Sequence, residues 1–360
     1  MGYRHTVPAI RLSDALAAGT ANRFGLVRLT LAALVIVSHA PLLLDGDQHR
    51  EPLFKTTGTM TVGEVAVMGF FFVSGLLVTA SYNKTPDLVW FCRKRAARIV
   101  PGFCVAYLAT LLIAGPLAGG HLGTLLGQPG LDALARLLLL QQPTLEGAFA
   151  AAADPRMNQS LWTIPYETMC YVLTAFLGAT TLLFRLRPQL WLICLVELAV
   201  LTEPWHALPL TLQEVIGNPR PATRLLAVFL TGACAFHLRA ALVLDRRIAV
   251  LTGIVFSFTL FVPALLFTLG AACGGYTLLW LVFAGHPGSL AQKTDISYGL
   301  YLYGWPVQNT LVVFFPDLSP FFLIVATLPV AATLGYLSWT FVEHPALSFA
   351  KRRPVHAVLS

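Results

Sequence analysis

The sequence predicts an all-α integral membrane protein with about ten transmembrane helices in one bundle, and three observations predict it. Hydrophobic residues make up 56% of the 360 residues and charged ones only 11%, against about 25% charged in an ordinary soluble domain. Mean hydropathy is +0.71. Apolar runs of spanning length recur along the chain, separated by polar or basic segments.

Residues 1–25 are polar and basic, without the short apolar core and small-residue cleavage site of a signal peptide, and read as a cytoplasmic N-terminal segment. The spans follow at 26–44, 63–82, 100–118, 160–184, 189–202, 223–239, 246–262, 264–284, 296–315 and 319–341. The fifth is short, and the seventh and eighth form a hairpin around Pro263. Before the fourth, the stretch 131–141 ("LDALARLLLLQ") is too short to span and reads as an interfacial or buried helix. No repeat or low-complexity linker interrupts the chain, so 26–347 is one membrane domain and 348–360 a basic cytoplasmic tail.

Orientation follows from the loops. With the N-terminus in the cytoplasm, the inner segments carry 17 of the 24 Lys and Arg residues and the outer segments five, a strong positive-inside bias that puts both termini in the cytoplasm. The net charge of +7 is therefore read as topology rather than as a nucleic-acid surface. Six cysteines lie scattered with no CxxC pair, which gives neither a disulfide framework nor a zinc site.

Polar residues inside the spans carry the functional signal, because ionisable groups in hydrocarbon are costly and usually face a cavity or a partner. Arg28 and His39 lie eleven residues apart in the first span. On a helix they share one face, about 16 Å apart along the axis, with Arg28 near the inner edge and His39 in the outer half. Ser74 and Gly75 interrupt the aromatic run "FFFVSGLL" (70–77) of the second span; taken alone they read as a small-residue helix contact, with the serine bonding back to its own backbone. The inner loop "FCRKRAARIVPGF" (91–103) holds Arg93, Lys94, Arg95 and Arg98, and its spacing fits a topology signal, an anionic-lipid contact or a phosphate clamp. Glu167, in "SLWTIPYETMCY" (160–171), sits about 10 Å below the outer face, a depth matching His39. A carboxylate there would orient the imidazole and raise its basicity; the alternative is a structural tie between helices. Glu197 reads as a bridge to Arg224, and Glu343–His344 as solvated or capping groups at an inner helix end.

In order along the chain stand Arg28 to His39, "FFFVSG", "RKRAARIVP", "SLWTIPYE", "ISYGLYLYGWP" (296–306) and "FVEHP" (341–345). Together these resemble the acyltransferase family 3 membrane proteins, bacterial O-acyltransferases of surface glycans, over residues 23 to 347. The family's ten-helix fold agrees with the count above. Two positions depart from its pattern: Gly304 stands where such proteins often carry histidine, and Leu29 where a glycine often follows the first arginine. No role of that histidine carries over.

The resemblance implies transfer of an acyl group, most often acetyl, from acyl-CoA (acetyl-CoA) to a sugar hydroxyl of a bacterial exopolysaccharide or its lipid-linked precursor, at the inner membrane. In that reading Arg95 and Arg98, helped by Arg93 and Lys94, hold the CoA phosphates, and the pantetheine arm passes Arg28 and Ser74 toward His39. His39 acts as general base or as transient acyl carrier, and Glu167 holds its ring. The chain shows no GxSxG elbow, no HExxH and no Cys/His metal spacing. A proton-coupled carrier of a glycolipid or small solute is the alternative, though no pair of matching broken helices marks an inverted repeat.

Overall fold

The computed structural model describes residues 9–18, 23–202, 219–283 and 294–352. Its longer helices are α1 (Phe24–Asp45), α2 (Val62–Lys84), α3 (Leu88–Ala109), α4 (Gln128–Leu138), α5 (Ile164–Ala179), α6 (Leu186–Thr202), α7 (Arg220–His237), α8 (Arg246–Thr259), α9 (Ala271–Phe283), α10 (Ser297–Phe314) and α11 (Pro320–Ser338). Among the described residues, five helical stretches are long and apolar enough to cross a membrane: Phe24–Asp45, Val62–Lys84, Leu88–Leu117, Pro263–Phe283 and Pro320–Ala350. The other five predicted spans coincide with α5, α6, α7, α8 and α10, which are shorter or less apolar.

Local chemistry sets the boundaries. Thr61 and Glu64 form a reciprocal capping box at the start of α2. The third helix begins at Leu88, well before the predicted residue 100, because Asp87 accepts a hydrogen bond from Trp90 N at 2.8 Å and caps it. The residues that follow are mostly good helix formers, so the basic cluster is helical rather than a loop. At the predicted hairpin, α8 stops and Pro263 opens the next helical stretch from its first turn, where a missing N–H costs nothing.

Close packing depends on two glycine pairs. A Cβ on Gly75 of α2 would lie 1.9 Å from Phe229 O, and one on Gly232 of α7 would lie 2.0 Å from Phe72 O. The two backbones therefore touch reciprocally, the contact that small residues permit between membrane helices. Gly299 of α10 and Gly335 of α11 meet in the same way. Outside, Leu112, Ile113, Val172, Phe176, Ile254, Phe258, Phe321 and Phe341 are exposed, an apolar belt that suits lipid rather than water. Helix α4 presents Leu131, Leu134 and Leu138 outward while Ala133 O accepts from the Tyr107 hydroxyl at 2.6 Å. That is the geometry of an interfacial helix.

Connecting segments sort into two ends. At the basic end, strand Ile10–Arg11 pairs antiparallel with Val243–Leu244, and Arg93 Nη2 donates to Phe349 O at 2.9 Å. At the far end, the Thr59 hydroxyl donates to Leu260 O. One far-end segment leaves the surface. Trp305 Nε1 donates to Arg156 O at 2.8 Å, and Asn158 Nδ2 to Leu302 O at 3.0 Å, so residues 154–163 dip to the middle of α10. Non-helical backbone is tolerated at such depth only when protein surrounds it and satisfies its carbonyls.

Candidate active site

Helices α1, α2, α3, α5 and α10 enclose a cavity of about 360 Å³ toward the basic end, lined by Arg28, Ser74, Arg95, Arg98, Glu167, Asp295 and several tyrosines. Helical periodicity explains the lining. Phe70, Ser74 and Val78 repeat every four residues on α2, Arg95, Arg98 and Ile99 share one face of α3, and Glu167 and Tyr171 stand one turn apart on α5. Five of the predicted site residues thus come together: Arg28, Ser74, Arg95, Arg98 and Glu167. Gly75 makes the expected helix contact, while Ser74 faces the cavity.

The three arginines are not equivalent. Asp295 Oδ2 takes Arg98 Nη2 at 2.8 Å and Arg28 Nη2 at 3.2 Å, and Ser297 Oγ donates to Oδ1 at 2.5 Å. Arg98 Nη1 also lies 3.8 Å from Glu343 Oε2. Arg95 forms no ion pair among the described residues; its guanidinium stacks over the Tyr171 and Phe91 rings at 5.5 and 5.8 Å. Its planar fork remains available for an anion, and such forks grip phosphates in two-pronged fashion.

Arg93 and Lys94 lie outside the cavity wall. The helix turns about 100° per residue, which carries Arg93 round to the Phe349 ring, 5.0 Å away, and Lys94 to Ser81 Oγ at 3.4 Å and the Trp90 ring at 5.5 Å. The expected help from these two cations in holding the donor is not part of this geometry.

His39 occupies a second polar centre, farther along α1. Its ring meets Trp305 edge-on at 4.7 Å between centroids, and its Nδ1 is buried without a hydrogen-bond partner. The Arg156 guanidinium lies 5.5 Å from the Trp305 ring and is paired with Asp154. The predicted pairing of His39 with Glu167 is absent. Glu167 instead accepts a short hydrogen bond from the Tyr171 hydroxyl and faces the cavity. The cause is the dipping segment: residues Gln159–Thr163 form a 3-10 turn and α5 begins only at Ile164, already inside the bundle. A depth counted along a straight helix from residue 160 therefore leaves Glu167 too shallow. Between the two centres, Thr163 and Tyr301 join their hydroxyls at 2.8 Å.

Several participants carried no signal in the sequence reading. Asp295 sits just before a span and looks like a loop residue. Glu343, expected to be solvated or capping, is fully buried and accepts from Ser338 Oγ at 2.9 Å. Asn158, Gln308 and Asn309 escape a search for ionisable groups, although amides in an apolar helix are a signal of their own. Toward α6, no ion pair joins Glu197 and Arg224 among the described residues; the Arg224 guanidinium lies over the Phe267 ring at 5.0 Å.

A family model described as an acyltransferase domain matches residues 22–341. The chain is 25% identical to the "O-acetyl transferase" of Shigella phage Sf6, over 89% of this chain and 95% of that protein. It is 26% identical to "Nodulation protein 10" of Rhizobium leguminosarum bv. viciae, over 93% of this chain and 95% of that protein. No solved structure matches it.

Proposed function

We propose, on the premise that this chain belongs to the acyltransferase family 3, that it moves an acyl group, acetyl first, from acyl-CoA to a sugar hydroxyl of a bacterial exopolysaccharide or its lipid-linked precursor. Membership makes it a membrane acyltransferase; donor and acceptor are our reading. The observation that carries it is the cavity of about 360 Å³ whose wall holds three guanidiniums, with His39 farther along the helix that contributes Arg28. An anionic, elongated donor fits that arrangement: phosphates at Arg95 and Arg98, the arm passing Ser74 and Arg28, the thioester near His39.

In this mechanism His39 removes the proton from the acceptor hydroxyl as its oxygen attacks the thioester carbonyl. The carbon–sulfur bond breaks, CoA leaves as thiolate, and the imidazolium returns the proton to it. General-base help of this kind is worth about 10²–10⁴-fold. Glu167 and Tyr171, hydrogen-bonded to each other in the cavity wall, position the donor arm rather than the imidazole. Transient acylation of His39 would use the same geometry.

We further read the ten helices at the predicted positions as ten crossings of the inner membrane, with both termini in the cytoplasm. The sorting of loop contacts supports this: Ile10–Arg11, Val243–Leu244, Arg93 and Phe349 gather at the end that carries the basic segments. The decisive assay uses purified protein and acetyl-CoA. Wild type should release CoA thiol and acetylate glycan from a strain lacking this gene, and His39→Ala should do neither while remaining folded. A carrier needs no thioester cleavage, so normal thiol release by His39→Ala, or none by wild type, overturns the reading.

A further inference from the structure

Three carboxamides stand around the His39 centre, each with its NH₂ group on a backbone carbonyl. Gln308 Nε2 donates to Ile36 O at 3.0 Å, one turn before His39 on α1. Asn309 Nδ2 donates to Asp154 O and Arg156 O, both at 3.1 Å. Asn158 Nδ2 donates to Leu302 O at 3.0 Å and to Thr110 Oγ1 at 3.3 Å. A backbone carbonyl can only accept, so each amide must present its NH₂ there and its oxygen the other way. Those three oxygens have no hydrogen-bond partner, and each residue is 0% exposed. Ser160 Oγ and His39 Nδ1 are likewise buried and unpartnered.

The residues are contiguous. Trp305, Gln308 and Asn309 lie on one face of α10 at positions i, i+3 and i+4; Trp305 touches His39 and, with Asn309, binds the carbonyl of Arg156. Buried acceptors without donors are rare in folded proteins and each calls for an occupant. Among the described residues these oxygens have no donor, so a ligand that meets them brings O–H or N–H groups of its own.

We propose that Asn158, Gln308 and Asn309 form the acceptor subsite, holding a polyhydroxylated sugar ring by its hydroxyl protons with the reacting hydroxyl at His39. This rests on the acyltransferase reading above and assigns the side chains that select its acceptor. A thioester carbonyl offers no donor, and the donors of a pantetheine arm are strung along a chain, whereas a sugar ring concentrates hydroxyls within one ring's width. The subsite lies against residues 154–158, the irregular segment that precedes the 3-10 turn Gln159–Thr163.

Matched substitutions at two positions test it. Gln308→Met and Asn309→Leu remove the open oxygen at constant shape. Gln308→Glu and Asn309→Asp keep it, since a carboxyl held neutral by burial donates its O–H to the same backbone carbonyl. The probe is unmodified surface glycan with its lipid-linked precursors, extracted from a strain deleted for this gene, with radiolabelled acetyl-CoA. The apolar variants should raise the KM for glycan about tenfold or more. The acid variants should stay within about threefold of wild type, and KM for acetyl-CoA and the slow hydrolysis of acetyl-CoA should not move in any of them. A raised donor KM with unchanged glycan KM assigns the amides to the pantetheine arm and overturns the proposal. Parallel loss of turnover and thermal midpoint in all four variants means the amides hold only water or the loop, and overturns it too. Wild type that cleaves acetyl-CoA but acetylates no glycan removes the reading beneath it, and the subsite with it.

Discussion

Asp295→Asn tests whether one carboxylate organises the arginine-lined cavity. The substitution keeps the shape and removes the charge that Arg98 meets at 2.8 Å and Arg28 at 3.2 Å. Breaking one partner of a buried ion pair costs about 3–5 kcal/mol. Here burial is incomplete, with 27%, 19% and 16% of the Arg28, Arg98 and Asp295 side chains exposed, and Glu343 remains 3.8 Å from Arg98. Solvent and the second carboxylate together halve the cost, to about 2 kcal/mol. In a detergent thermal melt that amounts to an apparent midpoint lower by about 3–6 °C. Two freed guanidiniums then favour an external anion, so saturating CoA should raise the midpoint of Asp295→Asn by more than that of wild type. Combining Asp295→Asn with Arg98→Gln should cost less than the sum of the single changes, because the pair fails once. An unchanged midpoint with additive single changes would refute the reasoning, and Asp295 would then be a bystander at the helix start.

Other outcomes are equally direct. Arg95→Ala should raise KM for acyl-CoA by about ten- to a hundredfold, the worth of a charge-assisted phosphate contact, with Arg95→Lys only partly restored; Arg93→Ala and Lys94→Ala should leave it unchanged in the same kinetic assay. Gly75→Ala drives a methyl into Phe229 O and should destabilise by about 1–3 kcal/mol or more, read as a lower thermal midpoint; a wild-type midpoint would mean that α2 and α7 separate freely. In a cysteine-free background, His49→Cys should react with an impermeant thiol reagent in intact cells and Lys351→Cys should not, and the reverse pattern would invert the orientation.

Much of the inner cavity was legible in the sequence because its chemistry uses charge. Arg28, Arg95, Arg98 and Glu167 stand out where ionisable groups are expensive, and Ser74 breaks an aromatic run; all five line one cavity. Helix positions were legible for the same reason that apolar runs are, with errors where a cap moved a boundary, as Asp87 did for α3. What stayed hidden depends on register between elements. Nothing local marks residues 154–163 as entering the bundle, and that displacement alone parts Glu167 from His39. Asp295 and Glu343 are ordinary at helix ends until Arg98 is brought between them. The amides of α10 carry no charge, so their cost appears only when their oxygens are found without donors.

The dipping segment has a consequence for how such a chain can diversify. Arg28, Ser74, the arginines and Glu167 stand on helices locked by glycine contacts and ion pairs, where insertion would disturb everything packed around them. Residues 154–158 instead have no ladder of their own; Trp305 and Asn309 reach across from α10 to their carbonyls, and Asn158 reaches back to Leu302 O. Connecting backbone of this kind tolerates change better than the elements it joins. Natural variation can therefore re-tailor the wall beside His39 one residue at a time while the arginine-lined cavity is inherited intact. Related chains should then differ in this stretch, and in the amides that grip it, far more than along the arginine-lined wall.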